Sequence, residues 1–404
     1  MDLEQLNSIR EQLNEWINVF KANLGRSERV HWCRLYISGL ILDGERKSIE
    51  PMAKRLPGGN EQAIQQFVNQ SPWDHAAMQQ QLAQHMAQSM GGKKGVLVLD
   101  DTSLPKKGKF SVGVARQYCG ALGKIANCQS IVTWHYCEKG KEHFPILGEL
   151  FLPQSWTKSK KRMQVAKVPK ARYKFLKKWQ LALQLLDDIL KKDFPYEALA
   201  FDAGYGEKRE LLGELDKRQL TFVAQIPENH SFWPIDIPLN PTKNIKGRPR
   251  KYPEVADRNF KPLSAKKWLK KLILQGGKWQ KVKLTLQSKK YSEVMAIRVK
   301  ETITKAFYRP GVERWLIMEK LGNDQYKYYV SNASKDTSLS CMVEWIHERW
   351  KIEQGYQQMK EELGLDHFEG RSWLGLHHHL TLCFMAYNFL TLLKYQAKDK
   401  KKSQ

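Results

Sequence analysis

The sequence is short of acid. Against 67 Lys and Arg it sets only 42 Asp and Glu, a formal charge of +25 over 404 residues. That excess is more than solubility asks for, and it points to a polyanionic partner, nucleic acid first. Cysteine pairing is missing as well. The six cysteines form no Cys-x-x-Cys pair, and Cys119, Cys128 and Cys137 stand nine apart, which is not a zinc-finger spacing. They read as reduced thiols of a cytosolic protein. The opening Met1-Asp2-Leu3-Glu4 has no apolar core, so no signal peptide is expected. Long apolar runs are also lacking. The best window, Trp373 to Leu393, is interrupted by His377, His378 and His379, which favours a buried helix over a membrane span. A secreted, disulfide-bonded or membrane-embedded protein is therefore not expected. A cytoplasmic, nucleoid-associated protein is.

What is present is organised around Val96-Leu97-Val98-Leu99-Asp100-Asp101-Thr102. Four apolar β-formers run into two acids, the pattern of a strand buried on both faces that carries carboxylates at its end. Glu197 to Gly206 repeats the pattern: a short apolar run meets Asp202, and Gly204 and Gly206 turn the chain. A helix over Glu207–Arg218 and a strand over Leu220–Ile226 complete a strand-turn-helix-strand unit.

Residues 1–90 read as helical, with Leu3, Leu6, Ile9, Leu13, Ile17 and Phe20 three or four apart. Two short segments, from Ser48 and from Asn60, could form a helix-turn-helix pair within an otherwise ordinary bundle. Ser130–Tyr136 and Ile146–Leu152 read as further strands. Residues Lys158 to Lys178 hold ten Lys or Arg. The first half reads as a mobile basic loop in phosphate contact, and Tyr173–Leu190 as an amphipathic helix. From about 228 to 335 the alternation of Lys281–Leu286, Glu293–Val299, Arg314–Glu319 and Tyr326–Val330 indicates antiparallel strands. Within that region Lys246-Gly247-Arg248-Pro249-Arg250-Lys251 resembles an AT-hook, whose arginines fit a narrow minor groove. A basic tail, expected to be disordered, ends the chain.

Ser338–Leu363 is expected to be one helix. At 100° per residue, Arg349, Glu353, Tyr356 and Lys360 fall within about 60° of one another. Two strand-end aspartates and one helical glutamate are the oxygen donors that hard divalent cations take. Two such cations can activate an attacking oxygen and stabilise a leaving one across a phosphorus. Arg349 and Lys360 would hold phosphate oxygens.

These three blocks together make the sequence resemble the Asp-Asp-Glu transposases of bacterial insertion sequences. The late helix of that family has a Tyr-x2-Arg-x3-Glu-x6-Lys signature; Arg349, Glu353 and Lys360 fit it, whereas Ile346 stands at the Tyr position. The resemblance implies an α/β fold: a ribonuclease H-like catalytic domain with an antiparallel β-rich insertion, plus an N-terminal helical domain. The implied division is 1–90 for DNA binding or dimerisation, 91–227 with 336–396 for catalysis, 228–335 for the insertion, and 397–404 for the tail. It makes Asp100, Asp202 and Glu353 the catalytic metal ligands, with Asp100 preferred to Asp101 because successive strand residues face opposite ways. It implies two Mg²⁺ ions per site, with Mn²⁺ able to substitute. Lys106 and Lys107 are expected phosphate contacts, and Arg248 and Arg250 of the AT-hook-like stretch are expected DNA contacts. The expected function is binding of an element's terminal inverted repeats, cleavage of the ends, and joining of the 3′-hydroxyls to target DNA, by a homodimer on DNA. The alternatives are a domesticated transposase acting as a DNA-binding regulator, and another ribonuclease H-like nuclease.

Overall fold

In the computed structural model, residues 3–90, 92, 95–138, 142–240, 252–284, 291–303, 309–322 and 324–402 are described. Six helices come first: α1 (Leu3–Val19), α2 (Lys21–Leu24), α3 (Ser27–Ile41), α4 (Ile49–Arg55), α5 (Glu61–Asn69) and α6 (His75–Met90). Four strands follow, β1 (Val96–Pro105), β2 (Ala115–Cys119), β3 (Lys124–Cys137) and β4 (His143–Leu150), then α7 (Gln154–Thr157), α8 (Lys160–Val165) and α9 (Lys178–Leu190). Next are β5 (Ala198–Phe201), α10 (Ala203–Gly206), α11 (Arg209–Lys217), β6 (Phe222–Ile226), β7 (Ser231–Pro234), β8 (Leu263–Ser264), α12 (Ala265–Leu274), β9 (Gln280–Lys283), β10 (Tyr291–Ile303), β11 (Arg309–Gly322) and β12 (Gln325–Ser331). The chain closes with α13 (Leu339–Glu348), α14 (Trp350–Glu361) and α15 (Trp373–Lys402). It divides into two compact units, Met1–Tyr196 with Trp350–Gln404, and Glu197–Arg349.

In the first unit, β3 is the long central strand. It pairs antiparallel with β1, β2 and β4. Alternation of side chains sorts the helices between its two faces. Trp134 points one way and donates its indole N–H to the Ala182 carbonyl of α9 at 2.9 Å. Thr133 points the other way, toward α15, where Phe384 closes on Gly148 and Thr133. Helices α6 and α15 lie on β4, and α3, α5 and α6 lie on α15. Helix α15 is apolar nearly all round over Leu376–Ala386, which is why it is buried. The expected buried helix at Trp373–Leu393 is thus present. It continues through the basic end to Lys402 rather than becoming a disordered tail. Lys394 and Lys398 both grip Glu142 there. Among the described residues no helix is long and apolar enough to cross a membrane.

The basic stretch differs from expectation as well. Residues 158–172 are not a loop: α8 and a 3₁₀ turn at Lys170–Arg172 occupy them. Trp156 and Met163 are buried and hold the segment down. The charge density of the segment masked these anchors. Helix α9 accordingly starts at Lys178, five residues later than its apolar pattern suggested.

In the second unit β5 and β6 run parallel, as the strand-turn-helix-strand reading requires. Strand β12 joins β6 antiparallel, and β11, β10, β7 and β8 follow in order, with β9 also on β10. Helix α12 was not legible in the alternation. The unit's apolar core encloses an ionic group: Arg314 meets the Asp216 carboxylate with both terminal nitrogens and lies 3.2 Å from Glu301. Burial pushes the Glu301 carboxyl up, and the Arg314 guanidinium works against that rise.

The three adjacent histidines of α15 are all buried in the first unit. His378 lies flat on Trp73, and the His379 Nδ1 hydrogen-bonds the Tyr36 hydroxyl at 2.8 Å. Burial pushes His378 and His379 down to about 4 and His377 well below its ordinary value. Their folded values lie below the unfolded value, so the unfolded chain takes up more protons in acid. Their contribution is complete above about pH 6.5 and is lost as the pH falls toward 4. A thermal-unfolding series should therefore show the midpoint dropping from pH 7 to pH 5; a flat midpoint would refute this assignment of protons.

Candidate active site

The first candidate acids sit in the middle of β1, not at its end as the apolar run suggested: the strand continues through Thr102–Leu104, also buried, and stays paired with β3 to Pro105. Asp100 is the cross-strand partner of Thr133, and Asp101 that of Val132. The two carboxylates have different surroundings. Asp101 Oδ2 accepts from the Ser130 hydroxyl at 2.9 Å and from the Lys178 ammonium at 2.6 Å. Asp100 Oδ1 accepts from the backbone N–H of Asp101 at 2.7 Å. Both side chains are half-buried. Lys178 came from the charge run, which gave no sign that one of its members would turn back to the middle of β1.

Helix α14 packs against β1 and β4. It is fastened below by Tyr356, whose buried hydroxyl hydrogen-bonds Thr133, the residue paired with Asp100. Thr133 also meets His135 Nε2 at 3.1 Å. Next to Tyr356, Gly355 lies so close to β4 that a Cβ there would stand 2.2 Å from His143 Nε2. The Tyr387 hydroxyl holds the same Nε2 at 3.0 Å and donates to Gln358 of α14 at 3.2 Å. At its start, Lys351 donates to the Glu138 carbonyl at 2.7 Å. The helix is therefore held at its start and through its middle. Glu353, one turn before Tyr356, is on its exposed side. Lys360 is half-buried, and desolvation pulls its ammonium below the ordinary lysine value. Thr133 and His143, which carry this clamp, were not identified from sequence; in a strand they look like any other alternating residue.

One helix was expected from Ser338 to Leu363. The structure has two, α13 and α14, separated at Arg349. Arg349 thus occupies the joint, and the expected single stripe of four residues does not form on one helix. Helix α13 is tied at its end by His347, whose Nε2 lies 2.6 Å from Glu319.

In the second unit Asp202 follows β5 and caps α10, its Oδ1 accepting from the Tyr205 N–H at 3.2 Å. Gly206 has a steric reason: a Cβ would lie 1.9 Å from the Gln225 carbonyl oxygen on β6. The same unit has a cavity of about 920 Å³ lined in part by Trp233, Phe260, Arg258 and Lys261. None of the expected site residues lines it.

The expected phosphate contacts separate into three cases. Lys107 is exposed on its turn. Lys106 is not available for DNA: its ammonium donates to the carbonyls of Asp366 at 3.1 Å and Phe368 at 2.7 Å. Burial brings it down to about 8. It is a structural anchor for the segment before α15. Arg248 and Arg250 lie outside the described residues. Among the described residues no three His, Cys, Asp or Glu side chains form a preassembled metal cage.

The family model for DDE superfamily endonucleases matches residues 19–290. This chain belongs to that family. The resemblance drawn from the three sequence blocks is borne out at this level. The matched stretch of the DDE endonuclease contains Asp100 and Asp202 and stops before Glu353. A probable transposase for insertion sequence element IS701 from Microchaete diplosiphon is 29% identical over 193 residues, 48% of this chain and 47% of that protein. The chain thus spans about half the length of that relative. Among solved structures, the piggyBac transposase synaptic complex with hairpin DNA aligns over 98% of this chain and 74% of that one, at 11% identity and a TM-score of 0.43. The NurA nuclease from Sulfolobus solfataricus aligns over 67% and 81%, at 9% identity and 0.26. Likenesses this distant carry no argument about the site.

The clamp under α14 makes a steric prediction. Gly355→Ala should lift the helix from His143 and destabilise the protein by about 1–3 kcal/mol in a denaturant titration. Gly213→Ala in α11, where a Cβ meets nothing within 4 Å, should be neutral or stabilising, by up to about 1 kcal/mol. Equal effects at the two glycines would show that the close approach is not tight.

Proposed function

We propose that this DDE endonuclease is a DNA transposase acting on the terminal inverted repeats of an insertion sequence. It would cut at the element ends and join the freed 3′-hydroxyls to target DNA, as a homodimer that brings two ends together. The observation that carries the reading is the clamp of α14 onto the strand pair holding Asp100, through Tyr356 and Thr133, in a chain whose family match contains Asp100 and Asp202.

Asp100, Asp202 and Glu353 would hold the divalent cations, Mg²⁺ or its substitute Mn²⁺, two per site. The donor chemistry fits, since all three offer carboxylate oxygens. Lys178 already neutralises Asp101, which favours Asp100 as the ligand from β1. Substrate phosphate and water would complete the coordination, as suits Mg²⁺. The ions would supply a deprotonated water for attack and charge for the departing 3′-oxygen. The chain's own residues orient the phosphodiester. Lys107 and Lys360 offer ammonium groups to its oxygens, and Arg349 offers a planar fork. Arg248 and Arg250 would follow a narrow minor groove. The ribonuclease H-like reading suits one acid on β1 and another directly after β5, the helical N-terminal residues suit DNA binding or dimerisation, and the antiparallel strands after β6 suit an insertion.

The deciding experiment is cleavage of labelled DNA carrying the element's end, in Mg²⁺. Wild type should nick at the end junction. Glu353→Gln should fall to background while DNA binding persists, and Asp101→Asn should keep more activity than Asp100→Asn. Full cleavage by Glu353→Gln would remove Glu353 from the site, and the reverse order of the aspartates would make Asp101 the ligand. Binding without cleavage by wild type, even with both ends present, would favour the domesticated regulator. Affinity for duplex DNA should fall steeply between low and moderate salt, as counterions released at each phosphate contact are lost as a driving force. A flat response would contradict the DNA reading.

A further inference from the structure

Two long stretches of the first unit hold no acidic residue at all. From Thr102 to Cys137 the chain has five Lys or Arg, and from Leu150 to Leu186 it has ten, with no Asp or Glu in either. The fold joins them into one surface. Asn127 of β3 donates to the carbonyls of Lys106 and Gly108, tying the β2–β3 hairpin to the basic turn. Arg162 of α8 donates to the Lys109 carbonyl and lies over the Trp156 ring, tying the second stretch to the same turn.

This basic surface exposes large apolar side chains where solvation would favour polar ones. Tyr118 on β2 is 67% exposed and Ile125 on β3 is 60% exposed. They are direct cross-strand partners, so they stand side by side on one face of the hairpin, with the Arg116 and Asn127 pair two residues further along that face. Leu122, 47% exposed, is at the tip, where Gly123 turns the chain at φ +63°. Strand β2 ends its sheet, so the hairpin has an open edge.

We propose that the β2–β3 hairpin is a wedge that enters duplex DNA, with Tyr118 and Ile125 against an opened base step and the flanking cations on the phosphates. The proposal rests on the DNA reading above and adds to it a site of duplex distortion. Charge selects the occupant: the two stretches bring cations and no carboxylates of their own. Apart from Lys106, bound to backbone carbonyls, Arg172, paired with Glu149, and Lys178, paired with Asp101, these cations match the phosphate backbone. Apolar side chains set among cations are what unstacks a base step. An acidic protein would answer the charge but would leave the paired Tyr118 and Ile125 unexplained.

The test uses the full chain and two short fluorescent duplexes, one fully paired and one with a single abasic step, in a binding titration. A wedge has less stacking to break at the abasic step, so wild type should bind that duplex about tenfold tighter. Tyr118→Ala/Ile125→Ser should bind the paired duplex as wild type does and lose the preference. Both positions are exposed, so the substitutions leave the core intact. Lys160→Ala/Lys161→Ala should weaken both duplexes equally and keep the preference. No preference in wild type, or a preference retained by the hairpin variant, would overturn the wedge while salt-dependent binding of paired DNA still upheld the DNA reading. Failure of wild type to bind either duplex would remove both. Sedimentation of the same proteins checks the other occupant: if the hairpin variant dissociates a dimer and leaves the preference unchanged, the face pairs with a second copy and the wedge is wrong.

Discussion

The hydrogen bond between Tyr356 and Thr133 is the constraint around which the first unit is arranged. It joins a helix to the residue directly across from Asp100, so a carboxylate on the helix is referenced to a carboxylate on the strand through a single polar contact. The bond forms only because α14 comes unusually near the sheet. Gly355 permits the approach, and His143 fills the space that a side chain would have taken. Tyr387 of α15 then fixes His143, so the long buried helix reaches the candidate site through two hydroxyl and imidazole contacts. Desolvation keeps that imidazole neutral, down at about 4, which removes a positive charge that would otherwise stand beside Lys351.

Polar groups buried in this way must be satisfied, and that requirement explains much of the unit's order. Gln79 bridges the Thr381 hydroxyl and the Gly148 N–H, linking α6, α15 and β4. Lys106 closes on two carbonyls and so sets the segment that leads into α15. The second unit follows the same rule with charge. Glu319 gathers Ser292, Tyr329 and His347, and Arg314 gathers Asp216 and Glu301. Removing one member of such a group leaves another buried without its partner, which is why they persist together.

Periodicity was enough to read the strand that meets Asp202, the existence of the strand that carries Asp100 though not its continuation to Pro105, the parallel β5–β6 unit and the buried character of α15. Each has a pattern that local burial dictates. The break at Arg349 was not legible, because the apolar positions of α13 and α14 continue in phase across it. Nor was the role of Lys106. A lysine in a basic turn looks solvent-facing until the carbonyls of Asp366 and Phe368, some 260 residues away, are in place. The order of residues 158–172 was hidden for a similar reason, since two buried side chains outweigh many charged ones. Of the candidate site, the acids could be named from sequence. What holds Glu353 in position could not, because Thr133 and His143 acquire their meaning only from long-range pairing.

Gly206 and Gly355 have a consequence for inheritance. Each is pressed against another segment, one against the Gln225 carbonyl and the other against an imidazole. Any codon change that alters either residue adds at least one carbon where none fits. A gene copy drifting without selection would therefore lose stability in this protein at these two positions while its carboxylates were still intact. A copy that keeps Asp100, Asp202 and Glu353 but not both glycines would look complete by its acids and be weakened by its geometry.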